Sequence, residues 1–169
     1  MNKVKIKFDI LGEPMGKQRP KVTVLGTSKY AHAYTPKETV QYESKVVNAY
    51  NEKLKELNLP QGKLLFDTED EIHAIIFAYF KIPKSHFRFH KKTQTLDLDK
   101  EGELMVSGKR RAKKKPDCDN IAKIVLDALN GIAFPDDSQV VCLLVMKCWS
   151  QNNPRVEVTL ESGNYYETE

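Results

Sequence analysis

The sequence predicts an α+β fold: a two-layer sandwich in which a mixed sheet of about four to five strands packs with two main helices. Three observations carry this expectation. Stretches of period-two hydrophobicity lie near both ends of the chain and in its middle, and two stretches of three-four periodicity lie between them. The order strand, helix, strand, long loop, helix, strand, strand is not a regular βαβ alternation. Neither G-x-G-x-x-G nor G-x-x-x-x-G-K-[ST] occurs, which leaves no nucleotide-binding fingerprint. At 169 residues, 40% hydrophobic and 30% charged, the chain reads as one globular domain over 1–169 with a core of its own.

Val4, Ile6, Phe8 and Ile10 alternate with Lys3, Lys5, Lys7 and Asp9, the pattern of a half-buried strand. Gly12-Glu13-Pro14-Met15-Gly16-Lys17-Gln18-Arg19-Pro20 then breaks regular structure. Lys17, Arg19 and Lys21 make this loop basic, fitting either a surface connection or a phosphate contact. Thr35-Pro36-Lys37-Glu38 has the form of a capping box with proline at the first helical position. The helix it opens reaches about Leu57, with Val40, Glu43, Val47, Tyr50, Leu54 and Leu57 inward and Tyr42 and Tyr50 as packing residues. Residues 71–82 are apolar on both faces, which predicts a central strand ended by Pro83.

Residues 84–115 form a long polar insert with little periodicity, read as flexible and basic. Within it Leu104-Met105-Val106 reads as a short edge strand. His86 and His90 stand four apart, but no neighbour supports a metal site there. A second helix follows, capped by Asp119 or Asn120. Ile121, Ile124, Val125, Ala128 and Leu129 lie on its apolar face, Asp119, Lys123 and Asp127 on the opposite one, and Gly131 closes it. Two strands, 139–149 and 155–161, complete the fold through a hairpin turn at Ser150-Gln151-Asn152-Asn153-Pro154. The tail after Gly163 reads as frayed.

The chemistry concentrates around the second helix. Six of the seven residues 109–115 are Lys or Arg, although the net charge is only +4. Asp117 and Asp119, two apart, follow directly, and Asp136-Asp137 lies past the helix. If the chain after the helix folds back, these carboxylates converge; their repulsion then calls for a hard divalent cation such as Mg²⁺ or Mn²⁺. Asp137 or Asp136 supplies the third oxygen ligand in that arrangement. Each part alone has an ordinary reading: D-x-D pairs occur in turns, Asp136-Asp137-Ser138 is a simple turn, and Asp119 with Lys123 is a surface ion pair of small worth. The set of four features together favours a metal site.

Three cysteines, Cys118, Cys142 and Cys148, form no C-x-x-C pair, which suits a reducing cytoplasmic compartment. No signal-peptide core and no membrane-length apolar run is present.

Pro116-Asp117-Cys118-Asp119-Asn120-Ile121-Ala122-Lys123, then Asp127-Ala128-Leu129-Asn130-Gly131, then Asp136-Asp137-Ser138-Gln139-Val140, resembles the signature of the RusA family of Holliday junction resolvases. These are small crossover-junction endodeoxyribonucleases, many carried by phages and prophages. The 12–20 loop and Tyr34-Thr35-Pro36-Lys37 are similar to the longer phage and Gram-positive branch. The resemblance implies a homodimer that binds branched DNA, the four-way junctions of recombination and repair, and makes paired nicks with Mg²⁺, for which Mn²⁺ substitutes. It places the metal ligands on Asp117, Asp119 and Asp137, with Asp136 as an accessory candidate, and the catalytic lysine on Lys123. Lys17, Arg19, Arg110, Arg111, Lys113, Lys114 and Lys115 are then the phosphate contacts. The 84–109 stretch is longer than in the smallest members and the helix-to-Asp137 connection one residue shorter, so the role of that stretch and the choice between Asp136 and Asp137 stay open. Two competing readings remain at this stage: a DNA-binding module without catalysis, and a metal-dependent nuclease acting on flaps or RNA.

Overall fold

The alternation at the N-terminus becomes β1, Lys5–Leu11, with Ile6, Phe8 and Ile10 buried and the residues between them exposed. A computed structural model describes residues 4–24 and 31–162. The tail after Gly163 lies outside these. In chain order there follow β2 (Lys21–Val24), β3 (Ala31–Tyr34), α1 (Lys37–Glu56), β4 (Ile72–Lys81), β5 (Phe87–His90), β6 (Thr95–Leu98), α2 (Lys100–Val106), α3 (Cys118–Leu129), β7 (Val140–Ser150) and β8 (Arg155–Ser162). Four strands build the main sheet in the order β1-β8-β4-β7. β8 runs antiparallel to both β1 and β4, whereas β4 and β7 are parallel. β2 with β3, and β5 with β6, form two small antiparallel pairs. The α+β class and the mixed sheet agree with the sequence expectation.

α1 and α3 pack on each other and on one face of the sheet. α3 contributes Ile121, Ile124, Val125 and Leu129, all fully buried, each worth roughly 1.5–3 kcal/mol on the hydrophobic scale. The opposite sheet face carries a ladder of charges. Lys7 pairs with Glu157 at 3.1 Å, Arg155 grips the same carboxylate, and the Arg155 guanidinium lies 4.1 Å from the centre of the Tyr79 ring.

The sheet departs from expectation at its last connection. β7 and β8 do not pair with each other; each pairs with β4, from opposite sides. Residues 151–154 therefore carry the chain across the end of β4 and are not a hairpin turn. β4 is central, as its two apolar faces predicted. β7, equally apolar, is an edge strand that leaves Val141 56%, Leu143 47% and Leu144 45% exposed.

Three local expectations are also corrected. α1 begins after Pro36, which occupies the N-cap without a side-chain hydrogen bond, so the Thr35–Glu38 capping box does not form. Its buried face is Thr39, Tyr42, Val46, Tyr50 and Leu54, and Val40 and Leu57 point outward. The face is turned because Tyr42 and Tyr50 take core positions, Tyr50 edge-on to Phe8 at 5.7 Å. Leu104-Met105-Val106 is the end of α2, started by Asp99, whose Oδ1 accepts from Gly102 N at 2.8 Å. The insert thus holds a hairpin and a helix, with His86 on Asp99 at 3.2 Å and His90 on Asp97 at 3.4 Å.

Two outcomes test this packing. Phe134, fully buried beneath α3, should cost about 3–5 kcal/mol when replaced by alanine, measured by urea unfolding. Burial alone raises the pKa of Glu157, but hydrogen bonds from Arg155 and Lys7 outweigh it and hold the carboxyl below its ordinary 4.5. Its contribution is therefore complete above about pH 4.5 and lost as pH falls through the lowered folded value. The urea midpoint should drop over that acid range in the wild type and drop less in Glu157→Gln.

Candidate active site

α3 opens with the paired carboxylates. Asp117 is its N-cap, and Asp119 lies in the first turn, so Asp119 and Asn120 do not cap the helix as the sequence suggested. The Asp117 side chain makes no capping hydrogen bond, and both carboxylates are exposed. The positive end of the helix offsets part of their mutual repulsion. Lys123 follows one turn after Asp119, on the same exposed face. Lys123 makes no ion pair among the described residues.

The second acidic pair sits elsewhere. Asp136 starts a 3-10 turn, accepting from Ser138 N at 2.8 Å, while Gln139 Oε1 accepts from Asp136 N at 3.2 Å. The Ser138 hydrogen bonds hold the Asp136 carboxyl below its ordinary pKa. Gln139 also reaches the carbonyls of Asp67 and Asp70, which ties this turn to the chain entering β4. Val140 pairs with Ile72, at the beginning of β4. Residues 111–114, by contrast, lie at the far end: Ala112 N donates to Lys147 O, and Lys114 stands 5.0 Å from the Phe80 ring. α3 runs between these ends with 12 residues, a length of roughly 18 Å at 1.5 Å per residue. Asp137 is therefore at the opposite end of α3 from Asp117 and Asp119. Among the described residues no three His, Cys, Asp or Glu side chains converge as a metal cage. The expected folding-back does not occur within one chain. One chain fits two of the carboxylate ligands of a cation, not three.

The 12–20 loop lies against the start of α3. Lys17 N donates to Asn120 O at 2.8 Å. A Cβ on Gly16 would come 2.6 Å from Pro116 Cβ and 3.0 Å from that of Asn120, so only glycine permits this approach. The Lys17 side chain, 23% exposed, turns away from solvent and binds Asp127 Oδ2 at 2.7 Å and the carboxylate of Glu43. Burial works against its charge, but the two carboxylates prevail and hold the ammonium above its ordinary pKa. Glu13 joins the same end, accepting from Lys81 N at 3.2 Å and facing Lys114 at 3.9 Å.

Of the basic residues singled out by sequence, several already have partners. Arg110 pairs with Glu101 at 3.2 Å, and Arg111 Nη1 donates to Cys148 Sγ at 3.2 Å. The carbonyl of Lys114 accepts from Lys147 Nζ. Arg19, Lys113 and Lys115 are exposed and form no ion pair among the described residues. Among the described residues no helix is long and apolar enough to cross a membrane.

Comparison with known proteins decides the family. The family model described as endodeoxyribonuclease RusA matches residues 12–161. The chain belongs to the RusA endodeoxyribonuclease family. It is also 31% identical over 155 residues to the uncharacterized protein YqaN of Bacillus subtilis (strain 168), an alignment covering 92% of this chain and 94% of that protein.

For this RusA-family chain, sequence reasoning missed Glu43 and Asp127 as partners of Lys17. A signal was present: Glu43 is the one carboxylate among the positions the sequence pattern turns inward on this helix, and such a residue needs a cation. The two acids of the 136–137 pair also separate by their surroundings. Asp136→Ala removes the cap of the 3-10 turn and should lower the melting temperature measurably. Asp137→Ala, which keeps the backbone of that turn and removes an exposed side chain that makes no hydrogen bond in it, should leave it unchanged; circular dichroism melts compare the two.

Proposed function

We propose that this chain is a structure-selective endodeoxyribonuclease that resolves four-way DNA junctions by paired phosphodiester hydrolysis in recombination and repair. It works as one domain, in the cytoplasm and as a homodimer. The single observation carrying this reading is the match to the RusA model over residues 12–161, which spans the Asp117, Asp119 and Lys123 arrangement at the head of α3.

Mg²⁺, with Mn²⁺ as a substitute, is the proposed cofactor; a divalent cation in such a reaction polarises a phosphate and acidifies water. The chain's own residues supply the rest. α3 fixes Asp117 and Asp119 beside each other at its start. The Lys123 ammonium, one turn on, stabilises negative charge that builds on the phosphate. Arg19, Lys113 and Lys115 neutralise neighbouring phosphates, which gives salt-dependent affinity and little sequence choice. Asp137 is the third ligand in this reading, because Asp136 is engaged in capping.

The separation of Asp137 from Asp117 supports an assembly of two chains. A twofold pair offers two equivalent centres to the two equivalent strands of a junction. If the twofold sets the two α3 helices antiparallel, Asp137 of the partner subunit reaches the Asp117–Asp119 end. The exposed apolar edge of β7 suits that contact, since a long uncovered edge strand otherwise invites aggregation.

Asp119→Asn should retain junction affinity within about threefold while cleavage with Mg²⁺ falls by roughly 10²-fold or more. Full activity in that variant would reject the site. Linear, flap and RNA substrates cut as readily as four-way junctions would reject junction selectivity. The two-chain arrangement has its own check. Asp119→Asn and Asp137→Asn, each inactive alone, should regain single-strand nicking when co-expressed, because a mixed dimer then holds one intact centre. Absence of recovery from a confirmed mixed dimer rules it out.

A further inference from the structure

Between the 12–20 loop and the start of α3 lies an open groove of about 520 Å³, lined by residues of both, including Arg19, Lys115, Asp117 and Asn120. Its walls belong to segments more than 90 positions apart in sequence, so something must hold them in register. Three contacts do so. Gly16 allows van der Waals approach to Pro116 and Asn120, the Lys17 amide bonds the Asn120 carbonyl, and the Lys17 ammonium inserts between Glu43 of α1 and Asp127 of α3.

Lys17 is thus spent inside the protein. An ammonium held by two carboxylates at the α1–α3 junction is a poor phosphate ligand, because reaching DNA would leave Glu43 and Asp127 facing each other uncompensated. From this geometry we infer that Lys17 is a positioning residue. Its clamp on Glu43 and Asp127 holds the 12–20 loop so that Arg19 and Lys115 flank a groove for the phosphate backbone of one DNA strand, beside Asp117. The groove binds backbone and not bases, since Arg19 and Lys115 place cations on its two walls. This inference rests on the nuclease reading and adds to it the place where the strand enters.

The sign of a charge change separates positioning from direct contact. Removing acidic charge near bound DNA should strengthen binding if Lys17 were a phosphate ligand, because the lysine would be released and local repulsion reduced. The clamp predicts the opposite. Junction affinity, measured by fluorescence anisotropy without divalent cation, should be at least threefold weaker in the Glu43→Gln/Asp127→Asn double variant than in the wild type. Gly16→Ala, which leaves every charge in place, should weaken it likewise, and Lys17→Arg should restore most of what Lys17→Met loses. Val46→Ala, a core change in α1, serves as the control for general destabilisation and should keep wild-type affinity. Equal or tighter binding by the double variant, or an equal loss in Val46→Ala, overturns the inference. A wild type that binds four-way junctions no better than it binds nothing overturns the nuclease reading and this inference with it. A junction-cutting wild type with unaffected variants overturns this inference alone.

Discussion

The parallel pairing of β4 and β7 is the constraint from which the rest of the layout follows. Two strands that run the same way cannot be joined by a tight turn. The chain that leaves one end of β4 must travel back the length of the sheet before it enters β7. α3 makes that return, held down by Ile121, Ile124, Val125 and Leu129. Residues that precede α3 are therefore fixed at one end of the sheet and residues that follow it at the other. Asp117 and Asp119 fall in the first group, Asp136 and Asp137 in the second. Topology separates them, and no choice of rotamer closes the gap.

The sequence exposed what depends on local pattern. β1, β4, α1 and α3 were visible through their periodicity, and the family through the run from Pro116 to Val140. It concealed what depends on pairing between distant segments. β7 is apolar on both faces, which reads like burial, yet it stands at the sheet edge because β8 takes the other side of β4. The 150–154 turn reads like a hairpin because nothing local records that β4 lies between the strands it joins. Leu104-Met105-Val106 is too short a run for period two and three-four spacing to be told apart, and Asp99, five to seven positions upstream, decides for a helix by capping it.

The basic residues teach a related lesson about charge. A count of Lys and Arg around the site overstates the cations available to a ligand. Lys17, Arg110 and Arg111 each have a partner in the chain, and Lys114 leans on Phe80 and Glu13. Arg19, Lys113, Lys115 and Lys123 carry the positive field at the head of α3. The Lys17 pair contributes in a different way: under the inference above, it sets where Arg19 and Lys115 stand. Glu43, the one charged residue among the positions that the sequence turned inward on α1, is a partner in that pair.

A divided acid set also has a kinetic meaning. Under the proposed two-chain arrangement, an isolated copy carries only half a cutting centre at each end of α3. Below the dimerisation constant, the amount of complete enzyme then grows with the square of the chain's concentration. Scarce copies would stay latent on DNA, and competence would switch on steeply as they accumulate.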